Sequence, residues 1–592
     1  MRFILKNRNI VTAFFLVLII ILSFIVRFYN FHDWLYFKMD QSRDAALIGN
    51  AIKNGPEYLP LLGPRAGATE VSAGYLRLGP AFYYFQYLSG KIFNSINPDV
   101  FAYPDLFFSI VTILLLYAFL RLYFSRSHSL LITAMYSFSF LVIQYSRFAW
   151  NPNSLLFFTL LSFYGLLRFL NSPPSRRRFW WLILWITGFA IGSQLHFLGL
   201  FCLMGISAIV LFLHFELWKK SEIVKAVSRG NLKKVGGYFA IGVLTFAILY
   251  TPVIISDVIK KGENTKNFIQ AFSTKPNKKS LGTKIGRSVN KQLKYYCLIT
   301  TSGCYQGKIE KNVPLGIATA AFLIAGLYAA AQALRKKLSL NQVQKDFLRL
   351  ALIWFGMFFI FAIPVYSSLR PRFFIFVFPL PFIFLGFIYQ LIEEKLKSNG
   401  KYIALAITVV ILAANAYGTK AWFQEQAKSQ TKNFTVQRTL ILKNQDGVTL
   451  GQLERAANFM YKHRRPGATI YYYVKPEHVM PIKYLLYQKN DPSLRYEPLK
   501  KINEDPAAQY FAVAPTKNGT KNISEKYGDN FKIIDSQKLG QISIYEFEFT
   551  NRVTYGDFKF NKESSPTDRL FWKDVFGIKG NDASAIQIEG NE

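Results

Sequence analysis

Long apolar blocks separated by short polar breaks fill the first 418 positions of the chain. A helix that crosses a bilayer needs about 17–25 largely apolar residues. Eleven blocks fall in that range: 9–28, 101–123, 129–146, 153–170, 179–195, 197–216, 235–256, 313–334, 347–366, 373–392 and 402–418. The aromatic segment "GPAFYYFQYLSGKIF" at 79–93 is too short to span. It predicts an interfacial or re-entrant helix, in the layer where Tyr and Trp prefer to lie. Beyond about 420 the pattern shifts. "TLGQLERAANFMYKH" reads as a helix, "ATIYYYV" as a strand, "EHVMPIKYLLYQ" as a helix, "AQYFAVAP" as a strand, and "FKIIDSQ" with "ISIYEFEF" as a terminal hairpin. The expectation is an α-helical polytopic membrane protein of about 11 transmembrane helices plus interfacial helices over residues 1–420. A small α/β domain follows at 421–550, then a loosely structured tail at 551–592.

Composition agrees, with 51% of the 592 residues hydrophobic and only 18% charged. A net charge of +36 would suit nucleic acid, but residues 419–592 hold 26 basic and 20 acidic side chains. Nearly all the excess therefore lies in the membrane part, where Lys and Arg set topology, and nucleic acid is not an expected partner. With Arg2, Lys6 and Arg8 in the cytoplasm, every second loop is basic. Those loops carry Arg121 and Arg126, then Arg176, Arg177 and Arg178, then Lys219 to Lys234, then Arg335, Lys336, Lys337 and Lys345, then Lys395, Lys397 and Lys401. The C-terminal domain is then extracytoplasmic. The first apolar run lacks a small-residue cleavage site and is expected to remain as a helix.

This orientation gathers the ionisable and amide residues at helix ends onto one outer face. Asp40, Arg43 and Asp44 follow the first helix, and Asp105 opens the second. Gln144, Arg147 and Asn151 join the third and fourth, Gln194 and His196 the fifth and sixth; Asp257 ends the seventh, and Arg370 and Arg372 join the ninth and tenth. Ionisable groups near membrane depth are costly and mark sites. A transporter would keep some at the midplane between two repeats, and neither those residues nor a repeat is seen. The pattern favours a cavity opening outward.

Five stretches on that face, "MDQSRDAA", "LGPAFYYF", "SRFAWNPNSLLFF", "GSQLHFLGL" and "LRPRFFIFVFPLP", together resemble the GT-C glycosyltransferases. The resemblance covers roughly residues 8–420. It lies with the protein O-mannosyltransferase-like branch that includes the lipid A aminoarabinose transferases. It implies an integral membrane enzyme that moves a sugar, with inversion, from a polyprenyl or dolichyl phosphate carrier to an extracytoplasmic protein, lipid or polysaccharide acceptor, with no cofactor. The alternative is a lipid or glycan transporter or a non-catalytic scaffold.

In such enzymes an acidic residue after the first helix is the general base, matched here by Asp40 of "MDQSRDAA", and a base of that kind contributes about 10²–10⁴-fold. The competing role for Asp40 is to cap the helix running through Ala45 to Ile52. Where the family often has Glu beside this Asp the chain has Gln41, which predicts metal-independent transfer. Asp44 is either a second acid or the ion-pair partner of Arg43. The leaving phosphate needs cations, for which the guanidinium fork is suited. The aminoarabinose enzymes carry a Lys where this chain has Gly79, so the phosphate contact falls to Arg77, Arg65, Arg147, Arg370 or Arg372, each of which also suits headgroup anchoring. Arg43, Asp44, Asn151 and His196 complete the candidate substrate-binding set, although a lone His between two apolar helices is commonly structural.

The outer loop 256–312 holds twelve Lys or Arg. Within it "LGTKIGRSVNKQLKYY" predicts an amphipathic surface helix whose basic side either is solvated or grips an anionic lipid. Cys297 and Cys304 are close enough in sequence for a disulfide on the oxidising side, with two free thiols as the alternative. No Cys or His cluster has metal-ligand spacing, and no Gly-rich phosphate loop occurs.

Overall fold

The computed structural model describes residues 8–71, 74–219, 221, 229–273, 279–304, 313–335, 340–367, 369–428, 448–499, 507–550 and 569–578. Parts of the basic loop at 222–228, of the long loop at 274–278 and 305–312, the start of the C-terminal domain at 429–447, and the tail at 551–568 and 579–592 lie outside them.

The elements in chain order begin with α1 (Arg8–Phe28), α2 (Met39–Asn54), the hairpin β1 (Arg65–Val71) and β2 (Gly74–Arg77), and α3 (Ala81–Ile92). There follow α4 (Tyr103–Leu120), α5 (Arg126–Ser137), α6 (Phe140–Tyr145), α7 (Leu155–Leu170), α8 (Arg176–Leu195), α9 (Phe197–His214), α10 (Arg229–Ile259), α11 (Glu263–Ser273) and α12 (Leu281–Thr300). The last membrane-part helices are α13 (Val313–Arg335), α14 (Gln342–Ala362), α15 (Pro371–Phe374), α16 (Leu380–Leu396) and α17 (Ser398–Lys428).

Among the described residues six helices are long and apolar enough to cross a membrane: Asn9–Phe28, Val100–Leu120, Phe197–His214, Val235–Ile259, Pro314–Arg335 and Ser398–Lys428. The pair Pro371–Val377 and Leu380–Leu396, bent by 44°, makes a seventh. The other four expected spans are helical but depart from that criterion. The stretch 129–146 is not one helix, because the chain breaks at Phe138 and Ser139. There Ser139 Oγ donates to Ile299 O over 2.7 Å and Phe140 N donates to Asn415 Oδ1 over 2.9 Å, so neighbouring elements take up groups that a continuous helix would use. Helix α7 has 16 residues, α8 opens on three Arg, and α14 carries Lys345, Asp346 and Arg349 in its first turns. Exposed apolar side chains such as Phe14 on α1 and Phe239 and Val258 on α10 form the surface that lipid would cover. Inside, α7 and α8 meet backbone to backbone: a Cβ at Gly188 would lie 2.5 Å from Ser162 N, and one at Gly165 2.6 Å from Trp185 N. Small residues of this kind let membrane helices approach closely.

Polar contacts sort the helix ends into two groups. At one end His128 meets Glu393 over 3.1 Å, His214 meets Asp346 over 2.7 Å, and Asn171 Nδ2 donates to Asp346 over 3.1 Å. At the other end α2 packs against α3, and Arg372 in the segment after α14 lies within electrostatic range of Asp40 on α2. Helix α12 is the expected amphipathic helix, with Tyr295 to Thr300 buried, and Cys297 is bonded to Cys304 with their Cα atoms 5.9 Å apart.

The C-terminal region comprises α18 (Leu450–Lys462), β3 (Thr469–Tyr473), α19 (Pro476–Tyr487), β4 (Arg495–Pro498), β5 (Ala508–Pro515), α20 (Lys521–Tyr527), β6 (Phe531–Leu539) and β7 (Ile542–Phe549). Its five strands run in the order β4-β3-β5-β7-β6, with β3 parallel to both β4 and β5 and the β6–β7 hairpin antiparallel on β5. The near-continuous apolar and aromatic runs of β3 and β5 match the two-sided burial of the central strands. Helix α19 lies against α2, with Phe37 and Tyr484 rings 5.9 Å apart and Tyr484 OH donating to Ile96 O over 2.6 Å. The expected loose tail is corrected over 569–578. That segment pairs with the 59–61 strand-like stretch and ends in α21 (Trp572–Phe576), because backbone groups at 59 and 61 need partners there.

Candidate active site

Helix α2 begins at Met39, so Asp40 occupies its second position and is not the cap; Gln41 Oε1 instead accepts from Lys38 N over 3.2 Å. The Asp40 side chain is 38% exposed, and a carboxylate in a first helical turn is stabilised by the backbone dipole. One turn on, Asp44 is buried. Arg43 Nε and Nη2 donate to Asp44 Oδ1 over 3.1 and 2.9 Å, Tyr83 OH donates to the same oxygen over 2.9 Å, and Arg43 Nη1 donates to Asp40 Oδ1 over 3.3 Å. Burial pushes the Asp44 carboxyl above its ordinary range, and the Arg43 charge works against that push. Asp44 is thus the ion-pair partner of Arg43, and Arg43 is held with one nitrogen left for Asp40.

Pro371 opens the one-turn helix α15, which carries Arg370 and Arg372 at its start. The Arg372 guanidinium lies 5.6 Å from the Trp150 ring centroid and 5.5 Å from that of Phe373. It is within electrostatic range of Asp40, Arg370 and Tyr145. Trp150 is fixed from below: its N donates to Asp105 Oδ2 over 2.9 Å, and Ser154 Oγ donates to Asp105 Oδ1. His196 separates α8 from α9. Its Nδ1 accepts from Leu198 N over 3.2 Å, its ring meets Phe373 edge-on at 5.2 Å, and burial, with the Arg372 charge adding to it, holds its pKa below the ordinary imidazole value.

Other candidates sit further from this cluster. Arg147 Nη1 donates to Arg27 O over 2.6 Å and Nη2 to Tyr29 O over 2.7 Å, which caps the open carbonyls of α1. Its guanidinium also faces Phe423 at 5.3 Å. Asn151 Nδ2 donates to Leu195 O. Arg65 and Arg77 face each other across the β1–β2 hairpin, and Arg77 N is tied to Asn264 Oδ1 over 3.0 Å. A Cβ at Gly79 would lie 2.3 Å from Gln194 Cγ, and Gln194 Nε2 is itself held by Leu249 O over 2.9 Å. Gln194 fills the space that a longer residue at 79 would need. Among the described residues no group of three or more His, Cys, Asp or Glu is placed to hold a metal ion.

Sequence reasoning missed Tyr83, Trp150 and Tyr145 as site residues. Their signal was the density of aromatic residues beside the selected charges, which reads as interfacial anchoring until the contacts are known.

Residues 14–255 match the family model described as dolichyl-phosphate-mannose-protein mannosyltransferase. In fold the chain is similar to the Archaeoglobus fulgidus oligosaccharyltransferase in its apo form, at 12% identity and a TM-score of 0.50, covering 95% of this chain and 76% of that one. ArnT from Cupriavidus metallidurans bound to undecaprenyl phosphate also aligns, at 12% identity and a TM-score of 0.48, over 90% of this chain and 97% of that one. No curated protein matches the chain in sequence. Residues 14–255 thus match the dolichyl-phosphate-mannose-protein mannosyltransferase family model, and the chain is a multi-pass membrane protein similar in fold to the archaeal oligosaccharyltransferase.

Proposed function

We propose that the chain takes a sugar from a polyprenyl or dolichyl phosphate and transfers it, with inversion, to an acceptor hydroxyl on the extracytoplasmic side, with Asp40 as general base. The family description names a dolichyl phosphate sugar as donor and protein as acceptor, which supports a lipid-linked donor here and makes protein the first acceptor class to test. The alternation of basic loops supports a cytoplasmic N-terminus and an extracytoplasmic C-terminal domain.

One observation carries the reading: Asp40 is the accessible carboxylate of the α2 cluster, steered by Arg43 and within electrostatic range of Arg372. A base and a cation within electrostatic range of each other are what an inverting displacement from a phosphate carrier requires. The acceptor oxygen gives its proton to Asp40 and bonds the anomeric carbon as the bond to the phosphate oxygen breaks. The electron pair leaves on the lipid phosphate, whose charge Arg372 and Arg370 stabilise. Arg77 and Arg65 are the further cations at the rim. Gln41, bound to backbone, supports transfer without a carboxylate-held metal at that position.

Asp40→Asn tests this in cells. Mass spectrometry of membrane glycoconjugates should show the product reduced by about 10²–10⁴-fold at wild-type levels of folded protein. An unchanged profile would refute the assignment.

A further inference from the structure

The segment 569–578 is tied to the corner where α2 meets α3. Leu61 N donates to Leu570 O over 2.9 Å and Trp572 N to Leu59 O over 3.1 Å, so Pro60 and Phe571 form an antiparallel bridge. Trp572 Nε1 donates to Tyr84 OH over 2.9 Å, and the Lys573 ammonium lies 5.0 Å from the Tyr58 ring centroid. From this anchorage the Arg569 guanidinium reaches Tyr83, 5.9 Å from its ring centroid, and its charge acts on the phenol. Tyr83 and Tyr84 are consecutive on α3, so the tail holds both. Tyr83 is fully buried, and its hydroxyl is committed to Asp44.

A cation over an aromatic face restrains the plane of the ring, and the plane of a phenol sets where its hydroxyl can donate. Each link then has one geometry: Tyr83 to Asp44 Oδ1, Asp44 Oδ1 to Arg43 Nε and Nη2, and Arg43 Nη1 to Asp40. A tail that only covered surface would need Trp572 and the backbone bridge, but not a guanidinium over a buried tyrosine.

We propose that Arg569 and Trp572 are positioning residues for the transfer site, the docked tail holding Tyr83 so that Asp44 and Arg43 keep the Asp40 carboxylate aimed at the acceptor. This rests on the assignment of Asp40 as base.

The test uses the full chain in detergent and dicyclohexylcarbodiimide, a carboxyl reagent that enters apolar sites, with labelling of Asp44 and Asp40 mapped by mass spectrometry over a pH series. Asp44, buried and bonded to Arg43 and Tyr83, is expected to label slowly in the wild type. A hydrogen bond to a charged group is worth about 10–100-fold in equilibrium. Arg569→Ala, and a chain ended after residue 568, should raise Asp44 labelling toward that range and shift its pH dependence, whereas Arg569→Lys should stay near wild type. Transfer from polyprenyl phosphate mannose should lose kcat in Arg569→Ala with KM for the donor unchanged. If the shortened chain fails to fold, Arg569→Ala, which keeps the tail backbone, decides. Asp44 labelling identical in wild type and Arg569→Ala would overturn the proposal, whatever the activity. Labelling that responds in a chain with no transfer activity would support the hold on Asp44 and count against the Asp40 assignment alone.

Discussion

Tyr83 OH donates to Asp44 Oδ1 over 2.9 Å, the same oxygen that takes two bonds from Arg43. Three donors on one oxygen offset part of the burial that pushes this carboxyl above its ordinary range. Removing one neutral donor and removing the charge should therefore differ. Tyr83→Phe should cost about 1.5–3 kcal/mol. Asp44→Asn leaves the Arg43 cation buried without its counter-charge and should cost about 3–5 kcal/mol. Thermal unfolding of the purified protein in detergent ranks them, and equal melting temperatures for wild type and Asp44→Asn would show that the ion pair is not part of the stability of α2.

Arg372 combines a charge with a face, since its guanidinium lies over Trp150 while sensing Asp40. If it stabilises the leaving phosphate, Arg372→Ala should lower kcat by about 10²–10³-fold. Lys restores the charge but not the planar contact with Trp150, so Arg372→Lys should recover only part of the loss. Single-turnover transfer at saturating donor separates the two variants, and full activity in Arg372→Ala would move the phosphate contact to Arg370 or to the hairpin pair Arg65 and Arg77.

What could be read from the sequence follows from how locally each feature is determined. The α12 helix and, in the C-terminal domain, α18, β3, α19, β5 and the β6–β7 hairpin were legible because periodicity is a local property. The one-sided grouping of Asp40, Arg43, Asp44, His196 and Arg372 was legible because alternating basic loops fix which ends of helices share a face. Partner choice within that face was not. Nothing in the sequence distinguishes Arg147, which caps α1, from Arg372, which stacks on Trp150. The break at Phe138 was hidden because its compensating groups, Ile299 O and Asn415 Oδ1, are more than a hundred residues away. Strand β4 is four residues long and half exposed, too short for alternation to show. The docking of Trp572 on Tyr84 joins positions 488 apart in sequence.

Gly79 touches the Gln194 side chain so closely that a Cβ there would lie 2.3 Å from Cγ and 2.5 Å from Oε1. Gln194 cannot simply swing away, because Leu249 O holds its amide. Gly79→Ala should destabilise the protein by about 1–3 kcal/mol through overpacking, and Gln194→Ala in the same chain should remove most of that penalty. A double-mutant cycle on thermal stability reads the coupling directly. Additive effects would mean that the two positions do not share this space.

His32 joins the membrane part to the C-terminal domain, with Nδ1 3.3 Å from Asp99 Oδ2 and Nε2 2.9 Å from Glu454 Oε2. Hydrogen bonds to Asp99 and then to Glu454 raise its pKa from 6.5 to about 10, against the opposing effect of burial. Asp99 is held below its ordinary range: burial alone would raise it, but the bond from His32, with a second from Tyr103, prevails. A group whose pKa is higher in the folded state contributes fully below its unfolded value and loses that contribution as pH rises through the folded value. Docking of the C-terminal domain should therefore be tightest between about pH 4, above which Asp99 contributes fully, and about pH 6.5, and loosen progressively as pH approaches and passes about 10. His32→Gln, which keeps a hydrogen-bonding side chain but cannot be charged, should be looser at low pH and nearly independent of pH across that window. Hydrogen exchange of α18, read as a function of pH in both proteins, measures the effect. A wild-type profile as flat as that of His32→Gln would show that the charged imidazole does not hold the two parts together.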